Sequence, residues 1–180
     1  MLDRLEDFLL YLQTNNYSPE TLYNYEQDLN VFARFLSQEV KIPFEKIDKR
    51  VTEQYKAYLM SRDRRTNKKG KSQKPLIAAS INRNLSCLRG YLKYLIEMDY
   101  DIPVAPEAIR LIKMEKKHPR VAEFDALVAL IESPAAFEKI KEIRLRNRAM
   151  LETLFSTGMR ISELTSLNRD QIDKTGRIFI

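Results

Sequence analysis

Leucines and aromatic residues recur three or four positions apart through the first hundred residues, the period of helices with one apolar face. Leu2, Leu5, Phe8, Leu9 and Leu12 predict a first helix that begins almost at the first residue and stops at Asn15 and Asn16. Ser18 and Pro19 make an N-cap and first-turn pair, and Leu22, Tyr25, Leu29, Phe32 and Leu36 behind them step by 3, 4, 3 and 4 into a second helix. Past an irregular stretch around Pro43, Thr52 is placed to cap a short third helix carrying Tyr55, Tyr58 and Leu59. The fourth helix has the clearest pattern. From about Ala79 to Met98, Ile81, Leu85, Leu88, Leu92 and Leu95 form an apolar stripe, while Asn82, Ser86, Arg89 and Lys93 form a polar one with Arg83 beside it.

The pattern then weakens. Residues 102–120 carry Pro103, Pro106 and Pro119, short apolar pieces and the cluster Lys113, Lys116, Lys117, His118 and Arg120, which read as a basic linker between domains. Beyond it, Phe124, Leu127, Val128 and Ile131 predict a short helix, and Ser133 with Pro134 opens another helical stretch. A longer helix turns Leu151, Leu154 and Phe155 inward and stops at Thr157 and Gly158, glycine being favoured in the left-handed turn after a helix. Ser162 is placed to cap a short helix through Leu167, and Arg177 to Ile180 read as the start of a strand without a partner, which marks an unfinished domain.

Composition narrows the chemistry. One cysteine (Cys87) and one histidine (His118) in 180 residues exclude an internal disulfide and a Cys/His zinc site, and fit a reducing cytoplasm. The four glycines are widely scattered, so neither a Rossmann fingerprint nor a P-loop is present. The longest aliphatic run, Ala126 to Ile131, is too short to span a membrane, and no secretory signal precedes it; an intracellular, soluble protein is expected. The net charge of +6 is concentrated: residues 61–120 hold 15 basic and 6 acidic side chains, against 7 and 10 in residues 1–60 and 9 of each in residues 121–180. Arg62, Arg64, Arg65, Lys68, Lys69, Lys71 and Lys74 form a basic loop that serves either as a solvated connection or as a polyanion contact. The polar stripe of the fourth helix follows at once. Asn, Ser, Arg and Lys on a helix that can enter a major groove favour nucleic-acid contact over an ordinary wet face.

The segment from Leu151 to Leu167, LETLFSTGMRISELTSL, resembles the first catalytic motif of the tyrosine recombinases, or phage-type integrases, through Thr157-Gly158, Arg160 and Ile161-Ser162-Glu163-Leu164. Residues 1 to about 100 resemble the helical core-binding domain of that family, in the Ser18-Pro-Glu-Thr21-Leu22 opening, in Tyr25 and Asp28, and in the fourth helix, SINRNLSCLRGYLKYL. The resemblance implies a mainly α chain: a SAM-like four-helix core-binding domain (1–101), the basic linker (102–120) and the N-terminal part of an α/β tyrosine-recombinase catalytic domain (121–180). With its first helix at the start of the chain, it leans towards the Xer type.

What the resemblance implies for function is equally specific. The family cuts DNA with a tyrosine that forms a 3'-phosphotyrosyl bond, without metal or ATP. Arg160 matches the arginine that neutralises charge on the attacked phosphate, and Glu163 the acid that supports it; their alternative is a local ion pair at a helix start. Thr21, Lys68, Lys69, Lys71, Asn82, Arg83, Ser86, Arg89 and Lys93 are the candidate DNA contacts. The implied partners are double-stranded DNA with inverted-repeat half-sites and further recombinase protomers, four on DNA, with no membrane and a cytoplasmic location. The family's remaining catalytic groups lie downstream of this motif, and all nine tyrosines here fall between Tyr11 and Tyr100. A shortened recombinase, inactive alone, is therefore expected. The alternatives are a non-enzymatic or dominant-negative DNA-binding protein and a helical protein-interaction module.

Overall fold

Leu5, Phe8 and Leu12 share one side of α1 (Leu5–Thr14) and are buried, as their spacing requires. The computed structural model describes residues 2–61, 65–66, 70–71, 75–114 and 121–178, the pairs 65–66 and 70–71 by backbone alone, and divides the chain into two units, 1–116 and 117–180. In the first unit α2 (Pro19–Arg34) starts on Ser18, whose hydroxyl accepts the Thr21 N–H at 3.2 Å, and runs into a π-helical turn, Phe35–Val40, closed by Lys41 in the left-handed conformation.

α3 (Lys49–Met60) begins four residues before the position expected from Thr52. Its cap is Asp48, whose carboxylate accepts the Val51 N–H at 2.8 Å. Thr52 lies inside the helix, buried, and its hydroxyl donates to the Lys49 carbonyl at 2.7 Å. The basic stretch between helices is not loop throughout, since β1 (Arg65–Thr66) pairs antiparallel with β2 (Gly70–Lys71). Lys68 and Lys69 lie outside the described residues.

α4 (Ala78–Glu97) is the central helix. It buries Ile81, Leu85, Leu88, Leu92 and Leu95 as expected, and Tyr91 and Tyr94 besides, against α1, α2 and α3. Aromatic rings bind these layers: Phe8 meets Tyr25, Tyr91 and Tyr94 at centroid distances of 5.5, 5.4 and 5.1 Å, and Phe32 meets Tyr55 at 4.7 Å. Each such side chain removed from water contributes roughly 1.5–3 kcal/mol. Gly90 permits the approach of α2 to α4, because a Cβ there would stand 3.2 Å from the Tyr25 ring.

The segment expected to be a tether from residue 102 is in large part core. Ile102, Val104 and Ile112 pack against the helices, Pro106–Ala108 form a 3-10 turn, and Ile109 is only 2% exposed. Residues 115–120, with His118, lie outside the described residues.

The second unit contains α5 (Phe124–Glu132), α6 (Pro134–Phe137), α7 (Lys141–Thr157) and α8 (Ile161–Ser166). Gly158 ends α7 at φ 66°, as its position predicts. Leu151 and Leu154 are half-buried, but Phe155, expected inward, is 51% exposed and faces the Phe124 ring at 6.4 Å. α8 is capped at Arg160 rather than at Ser162. Ile178 has a partner after all, an antiparallel bridge to Ile172. The Asp173 carboxylate closes the intervening turn by accepting from the Thr175 and Arg177 N–H groups at 2.8 and 2.9 Å.

Candidate nucleic-acid interface and catalytic motif

Burying the apolar stripe of α4 turns its polar stripe towards α2 and solvent. Ser86 and Lys93 are exposed, Arg89 is half-buried, and Thr21 and Asn24 of α2 border the same groove as Arg83 and Ser86. Thr21 Oγ1 lies 2.9 Å from Ser18 Oγ, within the start of α2. Sequence spacing thus places Arg83, Ser86, Arg89 and Lys93 correctly on one outward side.

Asn82 has a different engagement. Its amide nitrogen donates to the Ile112 carbonyl at 2.8 Å and its amide oxygen accepts the Ile112 N–H at 2.7 Å. Both halves of the side chain hold the 102–112 segment to α4 as a neighbouring strand would, leaving little of the amide for a base edge.

Two residues absent from the expected contacts stand beside Arg83. Asn24 Oδ1 accepts from Nη1 and Asp28 Oδ1 accepts from Nη2, both at 2.9 Å. Asp28 is 5% exposed, and burial pushes its carboxyl up to about 6 although Arg83 pulls the other way. Cys87 follows Ser86 on the buried side of the groove, where burial raises its thiol far above the ordinary range and favours the neutral form.

In the second unit Arg160 and Glu163 are joined twice. Glu163 Oε2 accepts the Arg160 backbone N–H at 2.6 Å and Oε1 the guanidinium at 2.8 Å, and these bonds hold the Glu163 carboxyl below its usual range. Thr157 and Gly158 deliver the chain to this point: the Thr157 hydroxyl donates to the Thr153 carbonyl at 2.6 Å and accepts the Met159 N–H at 3.3 Å. The Arg160 side chain remains 83% exposed. An exposed guanidinium on a capped helix start, steadied by a carboxylate, can contact an external phosphate with its remaining N–H groups. Among the described residues no cluster of three or more His, Cys, Asp or Glu side chains could hold a metal ion, and no helix is long and apolar enough to cross a membrane.

The family model for the phage integrase N-terminal SAM-like domain matches residues 5–98, from the start of α1 to the end of α4. The chain belongs to the phage integrase family. Its similarity to members of that family runs on through the second unit: it is 31% identical to the tyrosine recombinase XerC of Pelobacter propionicus over 98% of this chain and 54% of that protein. It is 32% identical to XerC of Syntrophus aciditrophicus (96% and 54%) and 27% identical to the tyrosine recombinase XerD of Staphylococcus epidermidis (94% and 52%). The chain spans about half the length of these curated relatives. No solved structure gives a significant match. The integrase match accounts for the four-helix unit and its SAM-like fold, while the placement of Arg160 on α8 is read from the geometry alone.

Proposed function

We propose that this chain is the DNA-binding part of a site-specific tyrosine recombinase, with the opening of its catalytic domain. The observation that carries this reading is the division of α4 into a wholly buried apolar side and an outward side bearing Arg83, Ser86, Arg89 and Lys93, inside the domain that the integrase family model matches. The outward residues supply donors for phosphates and base edges, and Lys68, Lys69 and Lys71 add local positive charge. Asn82 supports the interface by holding the 102–112 segment rather than by reading DNA.

Arg160 would act later than binding. A phosphate under attack by a tyrosine gathers negative charge on its non-bridging oxygens, and a forked guanidinium answers it with directed hydrogen bonds. Glu163 orients that guanidinium. In a full-length recombinase carrying this segment, Arg160→Ala would cost roughly 3 to 4 kcal/mol of transition-state stabilisation. Its DNA affinity would hold. The 180 residues contain no tyrosine beyond Tyr100, so this chain alone binds without cutting. The similarity to XerC and XerD supports an Xer-like reading, in which the full-length protein would act in the cytoplasm as four protomers on inverted half-sites, resolving joined chromosomes or moving a genetic element.

The test is a titration of duplex DNA against the 180-residue chain at several salt concentrations. With about five phosphate contacts, the slope of log K against log salt is expected near −4 to −5. A nicked suicide substrate is expected to leave no covalent adduct on a denaturing gel. Absence of binding at low salt would overturn the reading, and an adduct would overturn the separation of binding from cutting.

A further inference from the structure

Asp28 poses a physical problem. It lies on α2, almost entirely out of water, and Arg83 and Cys87 of α4 and Tyr55 of α3 are the ionisable groups that face it. Burial raises its carboxyl against the pull of Arg83, so keeping it charged in the folded unit is costly. A buried pair of this kind can serve to fix geometry rather than to add stability.

Geometry suggests what that use is. Asn24 and Asp28 are one helical turn apart on α2 and take one N–H from each end nitrogen of the Arg83 guanidinium, both at 2.9 Å. Two fixed acceptors define the plane of the group as well as its position. The remaining N–H groups have no protein acceptor among the described residues, and the side chain is 56% exposed. A phosphate offers oxygens in several directions and accepts a guanidinium arriving in many orientations, whereas the paired O6 and N7 acceptors of guanine lie in the plane of the base and need a guanidinium held in that plane.

We propose that Asp28 and Asn24 are positioning residues that hold Arg83 to read a guanine edge in the major groove, making Arg83 a determinant of sequence preference rather than a phosphate anchor. This inference rests on the DNA-binding reading given above.

The experiment selects a randomised duplex pool with wild-type chain, Asp28→Asn, Arg83→Ala and the double variant, and records thermal midpoints on the same preparations. Wild type is expected to enrich a G·C pair at one position by roughly tenfold, and both single variants to lose that enrichment. The double variant is expected to look like Arg83→Ala, because Asp28 acts through Arg83. Asp28→Asn is expected to keep or raise the midpoint, which a merely structural aspartate would lower. Between about pH 8 and about pH 5 the wild-type enrichment is expected to fade as Asp28 takes up a proton, while Asp28→Asn shows no such change. Retained enrichment in Asp28→Asn, with overall affinity raised by the lost negative charge, would overturn the proposal in favour of a phosphate contact. Wild-type binding without any preference would overturn it too, leaving DNA binding intact. No binding to the pool at all would instead strike the reading on which it rests.

Discussion

The two units bury their apolar residues very differently. Prolines aside, every buried apolar side chain among the described residues lies between Leu2 and Ile109, in the first unit, where helices and the 102–112 segment close over one another. In the second unit, of the described residues, only Pro134 is buried; Phe124, Phe137, Ile140, Leu145, Phe155 and Ile161 are each more than half exposed. Amphipathic helices are present in both. A helix period therefore predicts where a helix forms but not whether its apolar side finds a cover. On the proposed reading, the first unit is a closed platform that can fix side chains for DNA, whereas the second displays Arg160 at the start of a short, lightly buried helix.

The largest expected effect exploits this difference. Leu85→Ala, at a fully buried position on α4, is expected to cost about 3 to 5 kcal/mol in urea unfolding of the first unit. Leu154→Ala in the second is expected to cost about 1 kcal/mol or less. Equal costs would show that α7 has a closed core around it.

Next is pH. Asp28 has a folded carboxyl at about 6 against about 3.9 in an unfolded chain, so below pH 6 the folded state holds the extra proton. Stability of the first unit is therefore expected to rise as pH falls from about 6 to 4, by about 2 kcal/mol, and to be level above about 7. Asp28→Asn is expected to flatten that slope. A wild-type midpoint that instead falls over this window with the same slope in Asp28→Asn would remove Asp28 as its source.

A smaller effect concerns the 102–112 clasp. Asn82→Ala removes both side-chain bonds to Ile112 and is expected to cost about 1 to 2 kcal/mol. Hydrogen exchange at Ile109 to Ile112 is expected to speed up while α1 stays protected. Unchanged exchange there would mean that Ile109 alone holds the segment.

The smallest stability effect belongs to Arg160→Ala, about 1 kcal/mol or less, because the ion pair it breaks is exposed. A drop of several kcal/mol in thermal unfolding would make Arg160 a keystone of its unit rather than a group held ready for phosphate.

Much of the first unit was legible in the sequence because its signals are local. The 3-and-4 spacing located α1, α2 and α4 and Ser18-Pro19 a cap, as Gly158 located a stop in the second unit. Errors arose where two local signals competed. Thr52 has the residue type of a cap, but Asp48 stands four residues earlier and its carboxylate accepts the N–H of Val51, leaving the Thr52 hydroxyl to bond back to Lys49. At α8 the Glu163 carboxylate reaching back to Arg160, three residues before it, outweighed Ser162. The prolines of 102–112 spoke for a tether, while the apolar Ile102, Val104, Ile109 and Ile112 carried the better signal for packing.

Contacts between distant residues left no local trace. Asp28 and Arg83 are 55 positions apart, and Asn82 and Ile112 are 30 apart. Asn82 on a polar stripe has the same spacing whether it faces DNA or a neighbouring segment. Asp28 stood out only as part of a family pattern, and its burial beside Arg83 required the packing of α2 on α4. The exposed side of α4 was legible in outline, and the acceptors that bond to Arg83 came only from the fold.

The contrast between the units can be put directly to DNA. The measurement is duplex affinity at fixed low salt for three preparations of the 180-residue chain: wild type, an Arg83→Ala, Arg89→Ala and Lys93→Ala triple variant on α4, and Arg160→Ala. Loss of these three side chains is expected to weaken binding by roughly tenfold or more and, through the phosphate contacts of Arg89 and Lys93, to flatten the salt slope by about 2. Arg160→Ala is expected to bind within about twofold of wild type, since its contact is made only as charge develops on the phosphate. A triple variant that binds like wild type, or an Arg160→Ala chain that loses binding as severely, would contradict the assignment of DNA binding to the closed helical unit.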